Sequence, residues 1–173
     1  ASDVYKRQPV THGTLPRGFL VSSTYAGIKK AISPSAGSKT LTAPPKPDMS
    51  LIVSSTPAAV AGVFTTNRFQ AAPVVHSKAA LQSAAPRTRA VLTNSGCANA
   101  VTGQGGLDDT NALVSQVRSL LRSEHSAPSD ALMMSTGVIG VRLPLGPMQR
   151  ALSHLASSQV LQSNPDAWML SLI

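Results

Sequence analysis

Short apolar runs that end at a hydroxyl residue or a glycine constrain the fold of this chain more than any other feature. Such runs are typical of strands and are shorter than most buried helices. They occupy residues 19–28, 49–54, 60–65, 90–93 and 131–134. The second and third are separated by the break at Pro57, and their spacing predicts an antiparallel pair. We therefore expect a sheet whose strands lie in the core.

Two stretches repeat apolar residues with the period of an amphipathic helix. Residues 107–122 place one set of side chains on a common face: Leu113, Val114, Val117, Leu120 and Leu121. Asp108 and Asp109 lie near the start of this helix, where carboxylates interact favourably with the helix dipole. Residues 147–155 predict a second helix, with Pro147 in its first turn and an apolar face of Met148, Leu152 and Leu155. Strands and helices with mixed connections predict an α/β or α+β fold.

The composition limits how the core can be built. Of the 173 residues, 42% are apolar, but only 3% are aromatic and 13% are charged. An average domain has roughly 25% charged residues, so we expect something outside this chain to bury part of its apolar surface.

One domain is expected over residues 18–173. Residues 1–17 are interpreted as an irregular lead, either a transit-peptide remnant or non-native sequence, and residues 31–47 as a flexible surface loop.

The net charge of +8 raises the question of nucleic-acid binding. The basic residues are scattered, however, and no aromatic residues alternate with them to stack on bases. The excess reflects a scarcity of carboxylates, since Glu124 is the only glutamate. Nucleic acid is therefore a disfavoured partner, whereas anionic metabolites or an acidic partner chain suit this surface. Because no apolar run reaches the roughly 18 residues of a membrane span, no membrane partner is expected either.

Residues 94–106, NSGCANAVTGQGG, join a strand end to a helix start. Glycine allows close backbone approach, and the N–H groups at the helix start could hold an anion. The spacing favours the alternative, a tight connection in which Asn94 and Asn99 satisfy loop carbonyls. The segment matches neither a P-loop nor a dinucleotide-binding fingerprint.

Cys97 is the only cysteine, so no disulfide forms within the chain and no cysteine-based metal site is expected. A nucleophilic cysteine needs a base within reach, and the histidines are distant in sequence: they are His12, His76, His125 and His154. We therefore interpret Cys97 as a small buried thiol. His76 is expected at a loop edge and His154 on the surface. No carboxylate pair has the spacing of an acid–base couple.

The run at residues 131–134 leads into the motif STGVIG. A threonine hydroxyl and the next backbone N–H can point at one oxygen, as the donors of an oxyanion hole do. Thr136 and Gly137 have this arrangement, and Gly137 would let the backbone turn toward a ligand. Thr136 is a weaker candidate for a nucleophile because it lacks a free α-amino group to act as base. The bare motif is also compatible with an ordinary strand terminus.

Four longer sequence motifs occur together in this chain in a fixed order. They are GFLVSSTYAGIKK, PDMSLIVSSTPAAVAGVFTTNRFQAAPV, RAVLTNSGCANAVTGQGGLDD and MMSTGVIGVRLP. Over residues 18–155 the chain resembles the N-terminal part of the ornithine acetyltransferase (ArgJ) family, the bifunctional glutamate N-acetyltransferases of arginine biosynthesis. Cys97 and the Ser/Pro-rich insertion resemble the fungal, mitochondrial branch more than the bacterial one.

This resemblance implies a fold, an activity and a set of partners. The fold is a four-layer αββα sandwich of the DmpA/ArgJ-like type, similar to N-terminal nucleophile hydrolases, which an α and a β chain form together. The family precursor cleaves itself before a threonine, and this threonine then carries acetyl from N-acetylornithine to glutamate. Some members also accept acetyl-CoA, and the family requires no cofactor and no metal. The implied assembly is an αβ heterodimer within a heterotetramer, in the mitochondrial matrix or, for a bacterial member, in the cytoplasm.

The resemblance also assigns site residues. The Thr-Gly pair of the family stabilises the oxyanion, and those positions are Thr136 and Gly137 here. The family continues into a segment ending in Thr-Thr-Asp, which the last residues up to Ile173 do not match. We therefore expect an incomplete α chain with an oxyanion hole, its nucleophile and substrate-binding residues lying beyond Ile173. Alternatives are a related self-processing aminopeptidase, a non-enzymatic basic binding protein and an inactive fragment.

Overall fold

The computed structural model describes residues 15–33, 45–82, 86–121, 131–157 and 160–163. The elements in these ranges are β1 (Phe19–Thr24), α1 (Ile28–Ile32), β2 (Met49–Ala59), α2 (Ala72–Ala80), β3 (Arg87–Cys97), α3 (Gly103–Leu120), β4 (Ala131–Val138) and α4 (Leu145–Leu155). The strands form one sheet in the order β1-β2-β3-β4. The pairs β1–β2 and β2–β3 are antiparallel, whereas β3–β4 is parallel. The predicted α/β class is confirmed.

One face of the sheet carries the apolar core. Alternate residues of a strand point to the same face, so Leu51 of β2 lies opposite Leu92 of β3 within this core. Helices α1, α3 and α4 cover the face with buried side chains: Ile28, Leu113, Val114, Val117, Met148, Leu152 and Leu155. The helical periods therefore identify the buried faces of α3 and α4 correctly. Leu120 is an exception and is 42% exposed.

The parallel pair β3–β4 brings two strand ends together. Parallel neighbours need a long crossover, and α3 lies in the connection between them. Because both strands run in the same direction, their carboxyl ends meet at one edge of the sheet. Helix α2 contacts the outer edge of β4. There the Ser77 hydroxyl donates to the carbonyl of Met133 at 3.2 Å and accepts from the backbone N–H of Met133 at 3.4 Å.

The strand predicted at residues 60–65 is wrong. Strand β2 continues through Pro57 to Ala59 and has β1 on one side and β3 on the other. The partner run predicted for this segment, residues 49–53, is therefore paired on both sides and has no edge left for residues 60–65. The segment runs over the surface instead, with Val63 fully exposed.

Helix α2 is an element that the sequence patterns do not predict. Its buried residues, Ala72, Pro73 and Ser77, do not form an apolar stripe. Pro73 lies in the first turn, where proline is tolerated because that N–H has no helical partner. His76 therefore lies on a helix and not at the predicted loop edge.

Both predicted helices start earlier than expected. Helix α3 begins at Gly103, not at residue 107, and α4 begins at Leu145. Asp108 and Asp109 consequently lie in the second turn of α3, beyond the dipole end to which they were assigned. The reason is that the glycine-rich segment before Leu107 is itself helical.

The predicted loop and lead are described only in part. Helix α1 extends to Ile32, so the first residues of the loop predicted over 31–47 are helical. Residues 34–44 of that loop, residues 1–14 of the lead and residues 164–173 lie outside the described ranges. Among the helices in the described ranges, none combines the length and apolar character needed to cross a membrane.

Candidate functional site

The carboxyl ends of β3 and β4 lie side by side. In the parallel register, Ser95 lies opposite Thr136 and Gly96 lies opposite Gly137. We use the name β3 loop for residues 94–103, the last residues of β3 and the segment that follows, and the name β4 loop for residues 135–142, the last residues of β4 and the segment that follows. The two motifs singled out separately in the sequence are therefore parts of one site.

The two loops stay joined beyond the strands. The N–H of Ala98 donates to the carbonyl of Val138 at 2.9 Å. The N–H of Gly140 donates to the carbonyl of Ala100, also at 2.9 Å. The β4 loop is thus fixed along the β3 loop by its own backbone.

The β3 loop is organised by the buried side chain of Asn99, which has a φ of +49°. Its Nδ2 donates to the carbonyl of Gly106 at 2.8 Å and to Oγ1 of Thr110 at 3.0 Å. Its Oδ1 accepts a hydrogen bond from the Thr102 hydroxyl at 2.8 Å. These contacts connect the loop to the start of α3, and the carbonyl that Asn99 binds, that of Gly106, lies in the helix and not in the loop.

Asn94 connects the two loops. Its Nδ2 donates to the carbonyl of Cys97 at 3.0 Å, as the tight-connection interpretation predicts. Its Oδ1 accepts a hydrogen bond from the hydroxyl of Ser135 at 2.6 Å. Since Ser135 directly precedes Thr136, this buried amide anchors the residue before the candidate oxyanion donors.

Thr136 and Gly137 lie on the exposed side of this site. Both residues are exposed. Gly137 has a φ of +130°, which residues with a side chain rarely adopt. A Cβ at this position would lie 2.6 Å from the backbone nitrogen of Cys97. Glycine is therefore required both by the backbone conformation and by the close approach of β3.

Cys97 is a buried thiol, as the sequence analysis predicts. Burial raises the pKa of Cys97 above its ordinary value of 9.0, and the nearby charge of Asp109 adds to this effect, although a hydrogen bond from the Asn99 backbone opposes it. The thiol donates to the carbonyl of Val141 at 3.2 Å. A protonated, buried thiol is a poor nucleophile, so its contact with the β4 loop is structural.

The histidines do not join this site. His76 lies on α2, and its Nδ1 is 2.9 Å from Oδ1 of Asn111 on α3. His154 lies exposed on α4, as predicted. His12 and His125 lie outside the described residues. Within the described part of the chain, no group of His, Cys, Asp or Glu side chains is placed to hold a metal ion.

An ion pair between Asp109 and Arg142 is a feature that the sequence analysis missed. Asp109 is buried, and its Oδ2 and Oδ1 accept hydrogen bonds from Nε and Nη2 of Arg142 at 2.8 and 2.6 Å. These hydrogen bonds raise the pKa of Arg142. A signal was present in the sequence: Asp109 is one helical turn before Leu113, on the apolar face of α3. A carboxylate on such a face needs a partner.

An open cleft of about 420 Å³ lies at the starts of α2 and α3. Its walls include Phe69, Val75 and Val101, and Arg68 supplies a positive charge. The volume falls within the range of small-molecule sites, about 300–1,000 Å³. Thr136 and Gly137 do not line this cleft, but residues 101–103 of the β3 loop do, so the cleft adjoins the strand-end site.

The fold places the chain among mixed α/β proteins of the N-terminal nucleophile hydrolase class, to which its structural neighbours belong. It superposes on ornithine acetyltransferase from Mycobacterium tuberculosis, solved with ornithine, with a TM-score of 0.75 and 32% identity, covering 91% of this chain and 76% of that one. It also matches the arginine biosynthesis bifunctional protein ArgJ of Bacillus halodurans, with a TM-score of 0.67 and 27% identity over 87% and 71% of the two chains.

The chain belongs to the ArgJ family, whose sequence profile matches residues 30–169. It is 58% identical to the mitochondrial arginine biosynthesis bifunctional protein ArgJ of Malassezia globosa, over 90% of this chain and 35% of that protein. The corresponding protein of Penicillium rubens is 44% identical, over 92% of this chain and 30% of that protein. The resemblance found in the sequence is confirmed, and the chain spans about a third of the length of these curated relatives.

Proposed function

We propose that this chain is the N-terminal part of an acetyltransferase of arginine biosynthesis and supplies its oxyanion hole. The reaction moves acetyl from N-acetylornithine to glutamate through an acetyl-threonine intermediate. Thr136 and Gly137 are the proposed oxyanion donors. The observation that carries the proposal is their exposure at the end of a parallel strand pair in a chain of the ArgJ family.

The chemistry requires stabilisation of negative charge on one oxygen. Attack of a threonine hydroxyl on the acetyl carbonyl forms a tetrahedral intermediate, with the proton passing to a base and the charge to the carbonyl oxygen. The Thr136 hydroxyl and the Gly137 N–H would donate hydrogen bonds to that oxygen. Donors fixed before the reaction are effective because little reorganisation is needed as charge develops. Expulsion of ornithine leaves acetyl-threonine, and the amine of glutamate then accepts the acetyl group in the reverse sequence of steps.

The rest of the active site is assigned to the remaining part of the polypeptide. The relatives are about three times as long as this chain, and we assign the nucleophilic threonine and the groups that bind the amino-acid end of the substrate to that part. We further propose self-cleavage into α and β chains, which pair as a heterodimer within a heterotetramer. The mitochondrial names of the fungal relatives support the mitochondrial matrix as the location. Acetyl-CoA is a possible second acetyl donor, and the proposed transfer uses no cofactor or metal.

The direct test is Thr136→Ala in the full-length polypeptide that carries this chain. Loss of one oxyanion donor typically lowers kcat by about 10²- to 10³-fold, and we expect kcat to fall far more than KM rises. Initial rates of acetyl transfer from N-acetylornithine to glutamate would measure both constants. Self-cleavage is followed on denaturing gels, because the same donors would serve that reaction.

The matched control is Thr56→Ala, which removes an exposed threonine from strand β2 of the same sheet. This change should leave kcat near the wild-type value. An unchanged kcat in Thr136→Ala would contradict the assignment of the oxyanion hole. Peptide hydrolysis in place of acetyl transfer, measured with the same preparations, would instead identify an aminopeptidase.

A further inference from the structure

The ion pair between Asp109 and Arg142 has no role in the reaction described above. It lies at the end of the β4 loop that is farthest from Thr136 along the chain. We propose that this pair positions the oxyanion donors Thr136 and Gly137 by locking the β4 loop onto helix α3. The inference rests on the proposed function and concerns residues that act through the loop rather than on the substrate.

The geometry of the pair fixes both distance and orientation. Arg142 uses Nε and Nη2 together, at 2.8 and 2.6 Å from the two carboxylate oxygens of Asp109. Such a two-point contact sets the plane of the guanidinium as well as its position. The partners differ in burial, with Asp109 at 2% side-chain exposure and Arg142 at 59%. The carboxylate is therefore a fixed point on α3 to which an otherwise exposed loop is attached.

The start of α3 is shaped to receive the guanidinium. A Cβ on Gly105 would lie 2.9 Å from Cζ of Arg142 and 3.0 Å from its Nη1. No real side chain is accommodated at such distances unless the arginine moves. Gly105 thus leaves the space in which the guanidinium rests on the helix backbone. The contact is a fitted one, unlike an ordinary surface ion pair, in which a long side chain keeps much of its freedom.

Among the described residues, the other hydrogen bonds that hold this part of the β4 loop come from one side of it. They are the backbone bonds from Ala98 and to Ala100, and the contact of the Cys97 thiol with the carbonyl of Val141. All three come from the β3 loop, whereas Arg142 reaches α3. The next residue, Leu143, is buried in the core. Among the contacts of the described residues, loss of the ion pair would leave this part of the loop held from the β3 loop alone until it enters the core at Leu143.

Catalytic donors are sensitive to such freedom. A displacement of about 1 Å from the productive geometry can cost about 10²-fold in rate, even when the change is far from the reacting atoms. We expect Arg142→Ala, in the full-length polypeptide, to lower kcat about 10- to 100-fold with little change in KM. Arg142→Lys keeps the charge but cannot form the two-point contact, and its kcat should be intermediate. If Arg142→Ala does not fold, the kcat of Arg142→Lys tests the proposal instead.

The test adds ethylguanidinium at millimolar concentration to Arg142→Ala. Because the Arg142 side chain is more than half exposed, this probe can reach the carboxylate of Asp109. A positioning role predicts that the probe raises kcat several-fold in Arg142→Ala and leaves the wild type unchanged. The control is Arg150→Ala, which removes an exposed arginine from α4 and should keep the wild-type kcat.

The outcomes separate this inference from the proposed function. A wild-type kcat in Arg142→Ala, or a loss of activity that follows the loss of thermal stability and resists the probe, overturns the positioning role. Thr136→Ala is assayed in parallel. If Thr136→Ala is impaired while the Arg142 variants are not, only the positioning role is wrong. If Thr136→Ala is unimpaired, the oxyanion assignment fails and the inference fails with it.

Discussion

The β3 loop and the β4 loop follow neighbouring parallel strands, yet they are built in opposite ways. In the β3 loop, side-chain amides bind nearby carbonyls, from Asn94 to Cys97 and from Asn99 to Gly106. In the β4 loop, the residues from Thr136 to Arg142 are exposed, and the backbone hydrogen bonds of the loop join it to other segments. The first loop is therefore the buried support of the pair, which we call the scaffold, and the exposure of the second is what the proposed role of Thr136 and Gly137 requires.

The β3 loop also contains strained backbone, whereas the β4 loop does not. Asn99 and Val101 have φ values of +49° and +58°. Asparagine tolerates this region, but a β-branched valine does not, and such a conformation costs about 1–3 kcal/mol. The buried hydrogen bonds of Asn99 and Thr102 offset this cost. In the β4 loop, both residues with positive φ are glycines, Gly137 and Gly140, so comparable strain does not arise there.

The largest expected effect comes from Gly137→Ala, which would force the two loops apart. The new Cβ would lie 2.6 Å from the nitrogen of Cys97, on backbone that cannot easily move. The strand end must therefore shift, and the Gly137 N–H shifts with it. We expect kcat of the full-length polypeptide to fall by at least about 10²-fold, as when an oxyanion donor is lost. Acetyl transfer measured under saturating substrate gives this value.

Gly140→Ala is the matched control for this change. Gly140 also has a positive φ, +82°, but a Cβ there would meet no atom within 4 Å. This variant carries only the backbone cost of a left-handed alanine, about 1–2 kcal/mol. It should lose some stability and keep most of its kcat. Equal losses of kcat in both variants would mean that backbone conformation, not the contact between the loops, explains the result.

The second expected effect concerns the scaffold and should appear in stability. Asn99→Asp keeps the size of the side chain but replaces Nδ2, which donates to Gly106 and Thr110, with an acceptor. A buried carboxylate oxygen would then face the Gly106 carbonyl. We expect a loss of about 3 kcal/mol in the free energy of unfolding, because a buried group is left unpaired and charged. Urea unfolding of the full-length polypeptide measures the loss.

The control for this prediction is Asn111→Asp, on the exposed side of α3. Its Oδ1 lies 2.9 Å from Nδ1 of His76, and a carboxylate can keep that contact. The free energy of unfolding should change by no more than about 0.5 kcal/mol, as for most surface changes. A similar loss in both variants would contradict a special role for the β3 loop.

The predictable part of this molecule is the part that local patterns determine. Short apolar runs predict β1, β3 and β4, and the helical period of Leu113 and Val117 predicts α3. Asn94 and Asn99 are predicted as loop residues because an amide can bind a neighbouring carbonyl. The misses have a different origin. The apolar run at residues 60–65 does not reveal that residues 49–53 of β2 are already paired on both sides, and α2 buries too few apolar residues to give a period.

The candidate site illustrates the same division. Thr136 and Gly137 form only a weak motif by spacing, and their assignment came from the resemblance to a family. Their positions opposite Ser95 and Gly96 depend on the parallel register, which is a property of the whole sheet. The helical period marks Asp109 as a carboxylate on an apolar face, but its partner Arg142 lies 33 positions away and no local pattern identifies it.

The smallest expected effect concerns Cys97, the thiol between the two loops. Because burial raises its pKa, the folded protein holds the thiol proton more tightly than the unfolded chain does. Its contribution to stability is therefore complete below pH 9.0, the ordinary value, and is lost as the pH rises above it. Cys97→Ala should change the free energy of unfolding by about 1 kcal/mol at neutral pH and keep kcat. It should also lose less stability than the wild type as the pH rises above 9.0.

In the wild type, iodoacetamide labelling of Cys97 at pH 8, followed by mass spectrometry, should be slow until urea is added. Labelling as fast in the native protein as in urea would mean that the scaffold loop opens as readily as the exposed one.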